Sequence, residues 1–555
     1  MADADGPFVV KRHRSKTHIA PQWKSQSKTS APTNNFVTPL LNDLYQITMA
    51  YSYWQQGRQD LHAVFDLYFR KNPFGGEITM FAGLDEVIRH VSNFHFTREH
   101  IDYLKEILPH CPAEFFDWLL SLNCSKVKIY AIPEGTLVFP RLPLIRVEGP
   151  IGVTQMLETT LLTLVNYPSL VATNALRHRI VAGQNSTLFE FGLRRAQGPD
   201  GGISASKYSY MGGFDGTSNV LAGHLFGIPV KGTHAHSYVT SFTDVSDLRV
   251  RELKDVNGKV FDLWEMVQEV YKQADLVTQT NQGELAAFTA YAVSFPNTFL
   301  ALVDSYDTLK SGVINFLTVA VALHRLGYKA NGIRLDSGDL SYLSKETRKL
   351  FVKWGEKFQI DYFAKLNIVA SNDINERTLS SLQQQGHEID TFGIGTNLVT
   401  CEAQPALGCV YKLVEIEGKP RIKLSQDMAK VTLPSRKSIY RIWGNAQHPI
   451  LDLITTQNDP DHPEPGKRIQ KKRAYITPTR VEPLLKLYWN EGQVAEDFHS
   501  LDDIRSYALT QVKIMREDHL RTMNPTPYKI SVTSALFKLL YDLWSEEVPI
   551  EDISQ

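Results

Sequence analysis

Between residues 151 and 400, short apolar segments alternate with helical runs of ten or more residues, and a polar loop follows each apolar segment. Parallel strands need a long crossover between them, and such alternation is typical of βα units around a parallel sheet or barrel. The pattern predicts five strands, at residues 188–191, 300–303, 332–335, 366–369 and 390–394. Because functional side chains of these folds collect at the carboxyl ends of the strands, we expect a site in the following loops.

The two ends of the chain have a different pattern. Residues 1–35 are rich in Ser, Thr, Lys and Arg and lack apolar periodicity, which predicts a disordered tail. Residues 36–150 are assigned to the N-terminal part of a second domain. Residues 40–54 are apolar at helical spacing, which predicts a helix with Thr38 as N-cap and Pro39 at its first position. Residues 401–555 form a C-terminal β/α region, in which Glu417-Gly418 predicts a hairpin turn.

Composition narrows the class of protein. The formal net charge of -1 argues against nucleic acid or a membrane surface as the main partner. The four cysteines form no CxxC pair and no Cys/His zinc spacing, so we expect a reducing compartment, the cytosol. The longest uncharged run, 159–176, contains Pro168 and two asparagines, which favours a buried helix over a membrane span.

The loop that follows the strand at 332–335 carries the densest group of charges. Arg334 is a permanent planar donor that suits a carboxylate or a phosphate. Asp336 and Asp339 can hold ribose hydroxyls or a hydrated Mg²⁺. This mixture indicates a phosphorylated sugar as ligand, although a tight Asp-Ser-Gly-Asp turn without function is the competing interpretation.

Three further strand ends carry candidate residues. Arg194 and Arg195 precede a Gly-rich loop and suit phosphate oxygens, unless they form only a surface pair. Asp304 follows an apolar strand and is either a ligand or a helix N-cap, or both. Gly395-Thr396 ends a Gly-x-Gly-Thr segment whose backbone N–H groups can turn toward an anion.

Two histidines lie in the segment Gly232-Thr-His-Ala-His-Ser237. His234 and His236 have the spacing of a metal pair, but no third ligand follows at a zinc-like distance. A neutral imidazole can also act as a nucleophile, whereas a lone histidine is more often structural. No GxxxxGK[ST] motif occurs, which argues against a P-loop ATPase core.

Seven stretches together resemble the nicotinate phosphoribosyltransferase family: NDLYQITMAY, FRKNPFGGE, EFGLRRAQGPDGG, GGFDGTSNVLAG, GTHAHSYVTSF, GIRLDSGDL and FGIGTNLVT. The resemblance implies a type II phosphoribosyltransferase fold, an irregular α/β barrel with an α/β sandwich domain formed by both chain ends. It also implies a homodimer with shared active sites. The implied reaction is ATP-coupled transfer of phosphoribosyl from phosphoribosyl pyrophosphate to nicotinate, with Mg²⁺ or Mn²⁺ as cofactor and ATP as co-substrate.

The resemblance also implies roles for individual residues. Those assigned to the substrates are Arg194 and Arg195 on pyrophosphate, Asp304 and Asp336 on ribose and metal, Arg334 on the nicotinate carboxylate, Phe191 and Tyr45 on the ring, and Thr233, Gly395 and Thr396 as ligand contacts. Tyr45 is implied to come from the partner subunit. His236, and not His234, matches the autophosphorylated histidine of the family.

Two alternatives stay open on the sequence alone. One is a nicotinamide- or quinolinate-using enzyme of the same fold, although the stretch from Gly232 contains no acidic residue before Asp244, which favours an anionic base. The other is a non-catalytic homologue. The retention of Arg334, Asp336 and His236 argues against loss of catalysis.

Overall fold

The computed structural model describes residues 30–275, 279–425, 430–460, 462–471 and 474–547. Most of the predicted tail, residues 1–29, lies outside this range. Its last residues are described, and Thr33 donates from N and Oγ1 to the two carboxylate oxygens of Glu86, at 2.9 and 2.5 Å. No helix in the described part of the chain is long and apolar enough to span a membrane.

The helices and strands alternate in the middle of the chain, as the sequence predicts. The α-helices of the described residues are α1 (Leu44–Gln55), α2 (Leu84–Ser92), α3 (Arg98–Ile107), α4 (Ala113–Ser121), α5 (Ile151–Thr154), α6 (Glu158–Ala182), α7 (Gly198–Met211), α8 (Val220–Phe226), α9 (His236–Thr240), α10 (Leu263–Gln273), α11 (Gln282–Ser294), α12 (Val313–Arg325), α13 (Leu340–Phe358), α14 (Glu376–Gln385), α15 (Thr396–Thr400), α16 (Leu501–Ile514) and α17 (Ser534–Glu547). The strands are β1 (His62–Phe69), β2 (Thr79–Met80), β3 (Lys128–Ala131), β4 (Leu137–Val138), β5 (Ile145–Pro150), β6 (Thr187–Glu190), β7 (Gly216–Thr217), β8 (Glu252–Lys254), β9 (Val260–Asp262), β10 (Leu300–Leu302), β11 (Gly332–Leu335), β12 (Asn367–Ala370), β13 (Thr391–Ile394), β14 (Cys409–Ile416), β15 (Lys419–Pro420), β16 (Lys437–Trp443), β17 (Pro449–Thr456), β18 (Ile469–Lys471), β19 (Ala474–Ile476), β20 (Arg480–Pro483), β21 (Lys486–Asn490), β22 (Gln493–Val494) and β23 (Ile530–Val532).

A parallel sheet of order β10-β11-β12-β13-β6-β7 forms the centre of the molecule. Its first five members are the five predicted strands, which confirms the βα interpretation. The two-residue strand β7 was not predicted because it is too short to show a period. No ladder joins β10 to β7 within the described residues, so closure into a barrel stays a prediction.

An antiparallel sheet of order β15-β14-β1-β5-β3-β21-β22 draws strands from both ends of the chain. Strands β1, β3 and β5 come from the N-terminal part, and the other four follow residue 401. A domain formed by both chain ends, which the resemblance implied, is thus confirmed. The predicted hairpin is also present, with Glu417 and Gly418 at φ of 49° and 70° between β14 and β15.

The start of helix α1 differs from the prediction. The helix begins at Leu44 behind Asp43, and not at Pro39 behind Thr38. Asn42 donates from its side chain to the Met156 carbonyl at 2.8 Å, and the carbonyl of Leu41 accepts from Thr160 at 2.7 Å. These tertiary hydrogen bonds keep residues 38–42 in an irregular conformation that local sequence preference does not reveal.

The start of helix α12 packs closely against the end of β10. Residues 313–323 are all buried, as expected of a helix that is apolar on every face. A Cβ on Gly312 would lie 1.9 Å from the Val303 carbonyl oxygen, so only glycine permits this close approach to the end of β10. The start of α12 is therefore packed directly against the residue that precedes Asp304.

Candidate active site

Asp304 joins the ends of two neighbouring strands. In the parallel ladder, Leu302 of β10 pairs with Arg334 of β11, so the loops that follow leave the sheet side by side. The Oδ2 atom of Asp304 accepts hydrogen bonds from the Asp336 backbone N at 3.0 Å and from Ser337 Oγ at 2.5 Å. Only 1% of the Asp304 side chain is exposed. The N-cap role that the sequence left open belongs instead to Asp307, which accepts from the Lys310 N–H at 2.8 Å.

His236 contacts the other oxygen of the same carboxylate. Its Nε2 lies 3.0 Å from Asp304 Oδ1, while 43% of its side chain is exposed. In the neutral ring this contact places the proton on Nε2 and leaves the lone pair on Nδ1. A partly exposed imidazole that is oriented by a buried carboxylate has the arrangement of a nucleophile or a general base.

His234 has a different environment. It is buried against the rings of Tyr238, Phe288 and Tyr291, and burial lowers its pKa to about 4. Its ring is therefore neutral at physiological pH. Of the two roles considered for a histidine in this segment, His234 has the structural one. The described residues contain no group of three or more His, Cys, Asp or Glu side chains arranged to hold a metal ion.

Arg334 is held on one side by two acceptors. Its Nε donates to Ser371 Oγ at 2.7 Å, and its Nη2 lies 3.3 Å from Asp336 Oδ1. The Ser371 hydroxyl in turn donates to Asp336 Oδ1 at 2.5 Å. Ser371 was not among the candidates, although it is the first polar residue after the predicted strand at 366–369 and this position was its signal.

The ring of Phe191 forms an apolar wall beside this arginine. The guanidinium carbon of Arg334 lies 5.7 Å from the centroid of the Phe191 ring. A Cβ on Gly393 would lie 2.3 Å from the same ring, so the first glycine of the Gly-x-Gly-Thr segment makes room for Phe191. The next residues of that segment, Gly395 and Thr396, begin the five-residue helix α15.

Arg194 and Arg195 lie in a short exposed turn between β6 and α7. Neither guanidinium has a carboxylate partner in the part of the chain that is described, which leaves both able to bind an anion. The turn is anchored by Glu190, a buried residue that sequence reasoning missed. Glu190 accepts from the Gly192 N–H and from the Thr217 hydroxyl, the latter at 2.5 Å. A carboxylate inside an apolar strand, Leu-Phe-Glu-Phe, was the available signal.

Three predicted residues are not joined to this group. Asp339 accepts from the Tyr342 N–H at 3.0 Å and thereby caps α13 with one of its oxygens. Thr233 is exposed in the loop before α9. Tyr45 lies on α1 and is 46% exposed; partial burial and the neighbouring Glu158 raise its pKa. No hydrogen bond or ring contact links Tyr45 to the strand-end residues within the described chain.

Comparison with known proteins gives matches along nearly the whole chain. Residues 186–448 match the nicotinate phosphoribosyltransferase (NAPRTase) family, residues 40–166 its N-terminal domain and residues 436–540 its C-terminal domain. The nicotinate phosphoribosyltransferase of Dictyostelium discoideum is 56% identical over 98% of this chain and 94% of its own length. The human enzyme of the same name is 44% identical over 92% of this chain and 97% of its own.

Solved structures agree with these matches. The crystal structure of human nicotinic acid phosphoribosyltransferase has a TM-score of 0.82 and 42% identity, and the match covers 90% of this chain and 99% of that one. A nicotinate-nucleotide pyrophosphorylase from Pyrococcus furiosus, at 21% identity and a TM-score of 0.57, shares the fold. The similarity therefore includes the parallel sheet and both chain ends.

Proposed function

The chain belongs to the nicotinate phosphoribosyltransferase family, and from this we propose that it transfers the phosphoribosyl group of phosphoribosyl pyrophosphate to nicotinate. The products are nicotinate mononucleotide and pyrophosphate, and the reaction is the first step of NAD biosynthesis from nicotinate. The observation that carries the proposal is Arg334, a largely buried cation near the Phe191 ring at the end of a parallel strand.

Recognition of the base follows from these two side chains. A pyridine ring that stacks on Phe191 presents its carboxylate at the ring edge, toward the guanidinium 5.7 Å from the Phe191 centroid. A charge-assisted pair of this kind contributes on the order of 1.5–3 kcal/mol, which corresponds to a roughly 10- to 150-fold preference for nicotinate over its neutral amide.

The transfer step needs little proton chemistry from the protein. The nicotinate nitrogen already has a free lone pair and attacks the anomeric carbon as the bond to pyrophosphate breaks. Negative charge then grows on pyrophosphate, where Arg194 and Arg195 are available to stabilise it. Positive charge grows on the ribose, near the carboxylate of Asp336. Catalysis is therefore mainly positioning and charge stabilisation.

The donor set fits a hydrated Mg²⁺ or Mn²⁺ better than a metal caged by protein. No cluster of three metal-ligating side chains occurs in the described residues, and Asp336 and Asp339 each have one oxygen already in use. Mg²⁺ commonly binds through one or two carboxylates, waters and substrate phosphates. Such an ion would neutralise charge on the departing pyrophosphate, with Asp336 as the carboxylate best placed to hold its waters.

Coupling to ATP is proposed to proceed through His236. The Nδ1 lone pair attacks the γ-phosphorus of ATP, an N–P bond forms and ADP leaves, while Asp304 stabilises the charge on the imidazole through Nε2–H. Water later hydrolyses the phosphoimidazole to phosphate and the free ring. The enzyme is therefore formally a ligase.

We further propose a homodimer with shared active sites. The N-terminal segment that carries Tyr45 exposes several large apolar side chains: Phe36, Leu41, Leu44 and Met49. An exposed apolar patch of this kind marks an interaction surface, and a ring donated across it would cover the second face of the base. The cytosol is the proposed location. We propose no nucleic acid or membrane as partner, and the near-neutral net charge supports that part of the proposal.

The proposal is tested by assaying purified protein with phosphoribosyl pyrophosphate and Mg²⁺, with and without ATP. The base is nicotinate, nicotinamide or quinolinate in separate reactions. Pyrophosphate release with nicotinate, increased by ATP, is the expected result. Comparable catalytic efficiency with nicotinamide or quinolinate would favour the alternative enzyme, and no release with any base would favour a non-catalytic homologue.

Substitution of Arg334 gives a second, independent test of the proposed function. We expect Arg334→Ala to raise the KM for nicotinate at least about tenfold, because the lost contact is specific to a carboxylate. The difference in catalytic efficiency between nicotinate and nicotinamide should become smaller. Arg334→Lys should rescue only in part, since a point charge cannot reproduce the planar fork. Equal effects on the two bases would contradict this assignment.

A further inference from the structure

We propose that Ser371 is a positioning residue that decides which edge of the Arg334 guanidinium meets the substrate, and so sets the preference for an anionic base. The inference rests on the function proposed above. Ser371 is the first residue after β12, and its backbone N donates to the Leu335 carbonyl at 3.0 Å. The register of the parallel sheet therefore holds its side chain next to Arg334 and Asp336.

The three side chains form a closed set of hydrogen bonds. Arg334 Nε donates to Ser371 Oγ at 2.7 Å, and the Ser371 hydroxyl proton goes to Asp336 Oδ1 at 2.5 Å. The direct contact between Arg334 Nη2 and Asp336 Oδ1 is longer, at 3.3 Å. The hydroxyl is thus the closer partner of both charged groups and lies between them.

This arrangement occupies one of the two edges through which the guanidinium can bind a carboxylate. A carboxylate can bind an arginine through the edge formed by Nε and Nη2 or through the edge formed by Nη1 and Nη2. The Nε–H is occupied by Ser371, and Asp336 lies beside the first edge. The second edge is left for an incoming carboxylate, which must approach end-on.

The serine also limits the ion pair between Arg334 and Asp336 to one longer contact, at 3.3 Å. Asp336 lies close enough that, without the hydroxyl, its two oxygens could pair with Nε and Nη2 directly. A bidentate pair with Asp336 would satisfy the charge that the substrate carboxylate needs and would turn the guanidinium toward Asp336. Ser371 therefore acts as a neutral spacer that prevents the bidentate pair and leaves the edge formed by Nη1 and Nη2 for the base.

The experiment compares Ser371→Ala with the unmodified holoenzyme, using nicotinate and nicotinamide as substrates or competing inhibitors. We expect the KM for nicotinate to rise about tenfold or more, kcat to stay within about threefold, and the affinity for nicotinamide to stay within about twofold. Ser371→Thr, which keeps the hydroxyl, should restore the KM to within about threefold of the unmodified value.

Two further variants make the result decisive. Ser371→Cys keeps the size of the side chain but is a weak donor, so it should reproduce the KM increase even if Ser371→Ala fails to fold. Ser341→Ala is the matched control. Ser341 lies on α13 and donates to the Gly386 carbonyl at 2.8 Å, and its replacement should leave the KM for nicotinate and the affinity for nicotinamide unchanged.

The outcomes separate the two proposals. An unmodified protein that does not use nicotinate overturns the proposed function and this inference with it. An active unmodified protein whose Ser371→Ala and Ser371→Cys variants keep the nicotinate KM, or lose affinity for both bases alike, overturns the role of Ser371 alone.

Discussion

At the scale of single residues, Asp304 orients one of the two histidines, His236, and an aromatic cluster buries the other. Its buried carboxylate accepts from the loop after β11 with one oxygen and contacts His236 with the other. His234, two residues earlier, points into an aromatic cluster and is excluded from solvent. One residue of the pair is therefore available for chemistry, and the other supports the fold.

His236→Ala is expected to abolish ATP hydrolysis and the ATP stimulation of product formation. A slow transfer without ATP should survive, because the base and sugar contacts stay in place. The measurement is phosphoryl incorporation from labelled ATP, detected as acid-labile phosphate, beside nicotinate mononucleotide formation. His234→Ala should keep the incorporation. Loss of the acid-labile phosphate in His234→Ala but not in His236→Ala would reverse the assignment.

The pKa of His234 gives a prediction for stability. Its ordinary value of 6.5 falls to about 4 because burial disfavours the charged ring. The depressed pKa means that the contribution to stability is present above the ordinary value and is lost as pH falls toward the folded value. Between pH 7 and pH 5 this one group accounts for about 2 kcal/mol of lost stability. His234→Phe, which keeps a ring among the aromatic residues, should show a smaller drop in urea midpoint over that range; an unchanged drop would contradict the prediction.

At the scale of elements, the end of the N-terminal segment has a structural role of its own. Thr33 satisfies both oxygens of Glu86 on α2, and Glu86 also lies 3.3 Å from the buried Lys207 of α7. The segment at 30–34 therefore links two helices through one carboxylate.

Deleting residues 1–29 is expected to leave turnover within about twofold, since their sequence lacks the apolar periodicity of a segment that packs on a core. Deleting residues 1–35 should in addition lower the thermal midpoint, because Glu86 loses two hydrogen bonds worth about 1 kcal/mol each. Calorimetry and turnover on both truncations measure this, with Thr33→Ala as the matched point variant. A large loss of turnover with the shorter deletion would show that residues 1–29 act on the core.

At the scale of the whole molecule, the proposed homodimer predicts that the base is held between two rings from different subunits. Phe191 supplies one wall, while Tyr45 is half exposed on α1 and has no contact with that wall in the described chain. In the proposed dimer, the ring of Tyr45 from the neighbouring subunit would form the second wall. Activity should then depend on assembly.

Mixing Tyr45→Ala protein with Arg334→Ala protein should restore about a quarter of the unmodified activity, when all proteins are assayed at a nicotinate concentration at which each variant alone is nearly inactive. Half of the dimers become hybrids, and each hybrid has one intact site if Tyr45 crosses the interface. Turnover after subunit exchange measures the rescue, with Tyr45→Phe as an active control that keeps the ring. If subunit exchange is demonstrated and activity is still not restored, both residues belong to the site of one subunit.

The sequence by itself determined the βα plan and most of the charged candidates. Strands at 300–303 and 332–335 are recognisable because the apolar period and the polar loop after each strand are local signals. For the same reason Arg334 and Asp336 could be assigned to a strand end. The turn at Glu417-Gly418 was predictable because its conformation depends on two neighbouring residues.

Only the tertiary structure decided which side chains act together. His236 and Asp304 are 68 positions apart, and Arg334 and Ser371 are 37 apart, so no local pattern relates them. The start of α1 likewise depends on bonds from Leu41 and Asn42 to distant residues. Local preferences set the elements, whereas the register between strands brings loops from separate parts of the chain to one edge of the sheet.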